Sequence, residues 1–173
     1  MSKHGQIMKS EIRQTPEIFS KIIANDQITP KLATLITDAS IKSILVLARG
    51  TSDNAAHFLK YLVETQLGLP CGLTSPSSVS IYNSKLYYEN TLVVAISQSG
   101  KSTDLVQFAK SSKESGAKLV CITNDSTSPL AQAADFHLSL QAGPEIAVAA
   151  TKSYSAQLLL SYLCLLYTSP SPR

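Results

Sequence analysis

A chain of 173 residues with 44% hydrophobic content can bury the core of one α/β domain and little more, so one domain is expected. Its formal charge of +3 is small and its lysines are scattered, which excludes the basic stripe of a nucleic-acid-binding protein. No run reaches the ~18 apolar residues of a membrane span, and Met1-Ser2-Lys3-His4-Gly5-Gln6 lacks a signal peptide's apolar stretch, so a soluble, cytoplasmic protein with no membrane partner is expected.

From the N-terminus, Ile12, Phe19, Ile22 and Ile23 fall at loose helical spacing interrupted near Pro16, and Thr29-Pro30 opens a further helix through Leu32, Leu35 and Ile36. Residues 1–40 are therefore read as a helical arm. Residues 44–48 are a buried strand, 53–67 a helix, and Gly68-Leu69-Pro70 a break before a short strand at 71–74. A strand at 92–96 leads into a helix that ends near Ser115 and is stopped by Gly116. A strand at 118–122, a short helix opened by Ser128-Pro129-Leu130-Ala131 and a strand at 136–140 close the set. Strands alternating with helices over short connections imply a five-stranded parallel sheet in a three-layer α-β-α sandwich. Cys71, Cys121 and Cys164 share no metal-ligand spacing, and the first two, in apolar strands, read as buried thiols of a reducing compartment.

Chemistry concentrates where Val93-Val94-Ala95-Ile96 ends abruptly in Ser97-Gln98-Ser99-Gly100-Lys101-Ser102. Ser102-Thr103-Asp104 supplies cap-type residues before the next helix, whose N-terminal N–H groups would face an anion above the loop. An ordinary strand-to-helix turn uses the same residue types. The phosphate reading gains from two further polar loops, Gly50-Thr51-Ser52 and Thr123-Asn124-Asp125, expected at strand carboxyl ends on the same rim. Gly50-Thr51-Ser52 lacks the glycine spacing of a dinucleotide fingerprint. His57, beside Phe58, reads as a packing or interface residue, and Asp53 and Asp104 as helix-start caps. Tyr82, Tyr87 and Tyr88 read as a surface turn rather than a carbohydrate platform.

Three ordered motifs resemble the sugar isomerase (SIS) family: the first loop from Gly50 to Ala56, the phosphate loop from Ala95 to Gly100, and Ala142-Gly143-Pro144-Glu145-Ile146-Ala147-Val148-Ala149-Ala150-Thr151-Lys152. The resemblance implies the flavodoxin-like form of the sandwich and a sugar-phosphate ligand. It places Gly50, Thr51, Ser52, Ser97, Gln98, Ser99, Gly100 and Ser102 around that ligand, with the backbone at Val148 on the sugar. Glu145, Ala150 and Lys152 flank the third motif and are secondary candidates, a salt-bridged or solvated pair being expected of Glu145 and Lys152. Within the family the chain is similar to the isomerase half of glutamine-dependent hexosamine-phosphate aminotransferases and to deaminases of glucosamine 6-phosphate. Lys101-Ser102 stands where the aminotransferases have Glu-Thr, and Ala150 where they have Ser, a form more like the deaminase branch.

The resemblance thus implies a domain binding a hexose or hexosamine phosphate in a deaminase/isomerase, working as a homodimer without cofactor or metal. The chain opens Met1-Ser2 rather than on the terminal cysteine of a glutaminase, which turns the expectation from amination to deamination. No catalytic residue is assigned, because the family's bases lie in a second SIS domain and serine, threonine and glutamine are poor bases near neutral pH. The alternatives are a non-enzymatic sugar-phosphate sensor, for which the arm shows no basic recognition helix, and the isomerase half of an aminotransferase.

The domain proper is expected over residues 41–163. From Cys164 to Arg173 the residues resemble an in-frame translation of a common sequencing adapter and break a helix with an apolar face at Leu158, Leu159 and Tyr162. Residues 164–173 are accordingly expected to be read-through, in a chain truncated before its second domain. A natural Ser/Pro-rich tail is the other reading.

Overall fold

Five apolar runs assemble into one sheet: β1 (Ser43–Ala48), β2 (Cys71–Thr74), β3 (Thr91–Ile96), β4 (Lys118–Thr123) and β5 (Phe136–Ser139). The computed structural model describes residues 3–25, 30–38 and 40–166. Every pairing is parallel and the order is β2-β1-β3-β4-β5, so the sequence of strands reverses direction between β1 and β3. The runs are apolar at consecutive positions because both faces of the sheet are covered. Alternate residues serve the two faces. Ile44, Val46, Leu92, Val94, Ile96, Val120 and Ile122 pack in one core, and Leu47, Val93, Ala95, Leu119 and Cys121 in the other.

The first core is closed by α4 (Thr51–Leu62) and α8 (Lys152–Leu166), with Ile18 and Ile22 of α2 (Thr15–Ala24) and Leu32 of α3 (Pro30–Thr37) packed beside them. The arm, which begins with α1 (Lys3–Arg13), is thus bound into the domain core. The second core is closed by α5 (Ser77–Ser80), α6 (Thr103–Glu114) and α7 (Pro129–Ala133). Phe108 of α6 is fully buried there and meets Tyr88 edge to face, ring centroids 6.0 Å apart. Burial of a side chain that size contributes about 1.5–3 kcal/mol. Cys71, Cys121 and Cys164 are buried and form no disulfide among the described residues, and burial pushes their thiols up to about 11, about 12 and about 12.

Several boundaries differ from the sequence reading for identifiable reasons. The helix expected from Asp53 starts at Thr51, because Gly50 takes φ +61° and turns the chain at once out of β1. Its last turn, Val63–Leu67, widens to π geometry before Gly68, in the left-handed region, ends it. The last helix begins at Lys152, and residues 141–151 form an irregular segment. It does not break after Leu163: it continues to Leu166, with Cys164 and Leu165 buried in the first core. Leu158, Leu159 and Leu163 are partly buried against that core. Tyr88 belongs to the interior, whereas Tyr82 and Tyr87 are exposed. The cap expected at Thr29 and the tail from residue 167 onward lie outside the described residues. Among the described residues no helix is long and apolar enough to cross a membrane.

Candidate functional site

The reversal of strand order leaves a crevice over the carboxyl ends of β1 and β3, where loops leave in opposite directions. Ala48 and Ile96 are register partners, so Gly50-Thr51-Ser52 and Ser97-Gln98-Ser99 start side by side on that rim. Ser97 is buried and its hydroxyl accepts the Gly100 N–H at 3.1 Å; the Ser99 hydroxyl accepts the Lys101 N–H at 3.3 Å. Each hydroxyl, used as an acceptor, keeps its own O–H to donate. Gly100 has φ +63°, and a Cβ there would lie 2.3 Å from the Ser128 hydroxyl oxygen. That hydroxyl is itself occupied, accepting the Ala131 N–H as the cap of α7. The loop therefore closes tightly only with glycine at this position.

Ser102 is the N-cap residue of α6, yet its hydroxyl caps no backbone N–H. The N–H groups of Thr103 and Asp104 in the first turn have no acceptor among the described residues. A helix start of this kind favours an anion, and the serine hydroxyls stand beside it. Asp104 caps the first turn only in part. It accepts the adjacent Leu105 N–H and pairs with Arg49 at 2.8 Å, a bridge from the end of β1 to the start of α6 that motif reading passed over. Lys101 pairs with Asp125 at 3.2 Å, and Asp125 is held down at about 2 by the Thr127 hydroxyl and N–H and by Lys101.

Gly50 and Thr51 are exposed at the mouth of the crevice. Ser52 is buried and turned toward α8, where its hydroxyl accepts from Gln157 Nε2 at 3.0 Å. His57 and Asp53 are exposed and 3.9 Å apart on α4, and Asp53 caps nothing. Gln98 receives the Asn124 N–H on its carbonyl. Asn124 then reaches the third motif: its Nδ2 donates to the Gly143 carbonyl at 2.7 Å and its Oδ1 accepts the Ala142 N–H at 2.9 Å. The segment is thereby tied to the Ser97–Ser102 loop through one residue at the end of β4.

Within that segment Val148 is 99% exposed and Ala150 half-buried. Glu145 and Lys152 do not pair. Glu145 accepts the Thr151 N–H at 2.6 Å, the Thr151 hydroxyl at 3.2 Å, the Ser153 N–H at 3.5 Å and the Ser153 hydroxyl, which makes it the cap of α8. Lys152 is 2% exposed and donates to Gln14 Oε1 at 2.8 Å and to the Pro144 carbonyl at 2.6 Å. Both side chains are committed to holding the segment. Among the described residues no group of three or more His, Cys, Asp or Glu could hold a metal ion.

Under the rim, His137 Nε2 lies 2.9 Å from the Thr123 hydroxyl, and burial holds this imidazole below its usual 6.5 despite Thr123 and the Asp125 charge. The unfolded chain therefore takes up the proton at higher pH than the folded one. The resulting stability is complete above about pH 6.5 and is lost as pH falls through the folded value. Urea melts between pH 7.5 and 5 are expected to show a falling midpoint that His137→Gln flattens, and an NMR titration to show an imidazole value under 6.5.

Comparison with known proteins gives the same architecture a family. The SIS domain model matches residues 38–167. The isomerizing glutamine–fructose-6-phosphate aminotransferase of Corynebacterium diphtheriae is 38% identical over 128 residues, covering 74% of this chain and 20% of that protein. The chain thus spans about a fifth of the length of this and several similar curated relatives. Among solved structures, the C-terminal domain of glucosamine-fructose-6-phosphate aminotransferase from Francisella tularensis superposes with TM-score 0.79 at 28% identity, over 93% of this chain and 48% of that one. The Vibrio vulnificus NanR protein complexed with ManNAc-6P superposes with TM-score 0.70 at 17% identity, over 95% of this chain and 60% of that one, and shares the fold. With the sheet order, the rim loops and the match over residues 38–167 in agreement, the chain belongs to the SIS domain family.

Proposed function

We propose that the rim binds the phosphate of an amino-sugar phosphate, glucosamine 6-phosphate or a close relative, as one domain of a deaminase/isomerase. The observation that supports this most directly is the loop from Ser97 to Ser102, where two hydroxyls with free O–H donors and the open first turn of α6 converge behind a glycine that admits no side chain. Gln98, Ser99 and Ser102 are half-buried and complete a neutral set of donors, which suffices for a dianion at a helix start. Thr51 and the backbone at Gly50 and Val148 would meet the sugar from either side. Ser52 enters through Gln157, setting the first loop rather than pointing outward.

Ring opening and proton movement between C1 and C2 need a base, and the rim residues named above are not bases at neutral pH. Glu145 is occupied as a helix cap, and Lys152 is enclosed by its two acceptors. The chemistry in this reading comes from a second domain, with a second copy of the chain as partner. The relatives that carry an aminotransferase name favour a second reading, the isomerase half of such an enzyme, which uses the same phosphate site.

Calorimetric titration of glucosamine 6-phosphate into the chain tests the site. Ser99→Ala is expected to weaken binding by about 1–3 kcal/mol, the usual effect of removing a hydrogen bond to a charged group. Unchanged affinity would sink the assignment. Ammonia release by the chain alone, lost in Glu145→Gln, would move the catalytic base into this domain, and sedimentation of the same samples reads the partner copy.

A further inference from the structure

Glu11 sits in α1, far from the rim in sequence, and is only 4% exposed. A buried carboxylate is costly unless its oxygens are satisfied, so its partners indicate its role. They are backbone donors of the third motif: Oε1 accepts the Ile146 N–H at 2.5 Å and Oε2 the Ala147 N–H at 3.2 Å. Lys152 works at the same junction from α8, donating to Gln14 at the α1–α2 corner and to the Pro144 carbonyl. A cleft of about 430 Å³, lined by Ile7, Gln14, Pro144, Ile146 and Lys152 among others, separates the arm from the segment around these bonds. Apolar packing is therefore thin here, and the polar bonds set where the segment lies.

The segment is pinned at four places. Asn124 holds Ala142 and Gly143 to the phosphate loop, Lys152 holds the Pro144 carbonyl, Glu145 holds Thr151 and Ser153, and among the described residues only Glu11 fixes the backbone of residues 146 and 147. Val148 follows immediately, almost fully exposed, with its backbone direction set by the two N–H groups that Glu11 receives.

We propose that Glu11 is a positioning residue, a latch from the N-terminal arm that sets residues 146–148 as the wall against which the sugar, but not the phosphate, is held. This rests on the sugar-phosphate reading of the rim. The phosphate loop shares no bond with Glu11, so the two parts of the ligand should respond differently when the latch is released.

The test compares glucosamine 6-phosphate with inorganic phosphate, both titrated into the chain and into Glu11→Gln. The variant keeps the size of the side chain and one acceptor, but removes the charge and turns an amide toward an N–H. Its dissociation constant for the sugar phosphate is expected to rise roughly tenfold, as for a lost charge-assisted hydrogen bond, with that for inorganic phosphate unchanged. Amide exchange at Ile146 and Ala147 should quicken while β3 and β4 keep their protection. Should Glu11→Gln not fold, Glu11→Asp, which keeps the charge and withdraws it by one methylene, is read by the same ratio. Equal weakening of both ligands, or of neither, while Ser99→Ala still weakens phosphate, overturns the latch alone. Absence of phosphate binding by the unaltered chain overturns the rim reading and the latch with it.

Discussion

Gly100→Ala is expected to destabilise the domain by about 3–6 kcal/mol and to abolish phosphate binding. An L-residue in the left-handed region costs about 1–2 kcal/mol, and φ here is +63°. The new methyl group would also lie 2.7 Å from the Ser128 Cβ and 3.2 Å from the Thr123 Cγ2, both in a buried wall, and overpacking of that kind costs about 1–3 kcal/mol. Displacing Ser128 then forfeits its cap on α7, worth about 1 kcal/mol. Gly68→Ala is the control, because Gly68 has φ +65° but nothing within 4 Å of a Cβ; it should lose only the backbone part, about 1–2 kcal/mol. Urea denaturation of the two variants separates strain from collision. Equal losses would mean that the Gly100 loop relaxes freely and that its tightness does not shape the site.

Glu145→Ala should cost about 2–4 kcal/mol, because four donors at the start of α8 lose a charged acceptor together and the Ser153 hydroxyl is left buried without it. The consequence extends beyond stability. Gln157, on the second turn of α8, holds Ser52, so fraying from residue 151 would loosen the first rim loop as well as the third motif. Thermal or urea unfolding gives the magnitude, and amide exchange at the start of α8 shows where the loss begins. A loss under about 0.5 kcal/mol, the range of ordinary surface substitutions, would show that the cap is dispensable and reopen Glu145 for chemistry.

The strands and their order of appearance were legible because a sheet covered on both faces writes itself as short, uninterrupted apolar runs, such as Leu92 to Ile96. The polar loop from Ser97 to Ser102 was legible because its residue types are local: hydroxyls, a glycine and a helix start lie within six residues. Boundaries were less so. Residues 148–151 look like the start of α8 by composition, but the helix waits until Lys152, where Glu145 is in position to satisfy its first donors. The charged residues were read with the wrong partners for the same reason. Nothing local distinguishes Glu145 as a cap from Glu145 in a salt bridge, or shows that Asp104 pairs with Arg49 besides accepting the Leu105 N–H. Tyr88 looked like its exposed neighbours Tyr82 and Tyr87 until α6 placed Phe108 against it.

By itself the sequence determined a parallel α/β sandwich, a rim of three polar loops and the residue types that could hold an anion, since each follows from periodicity or from neighbours a few positions apart. The tertiary structure alone decided which charges are free and which are spent. Glu11 meets Ile146 across 135 residues, Lys152 meets Gln14 across 138, and Gln157 meets Ser52 across 105. Hydrogen bonds of that reach depend on where helices come to rest on the sheet, and helix placement is set by the packing of whole apolar faces rather than by any residue's immediate neighbours.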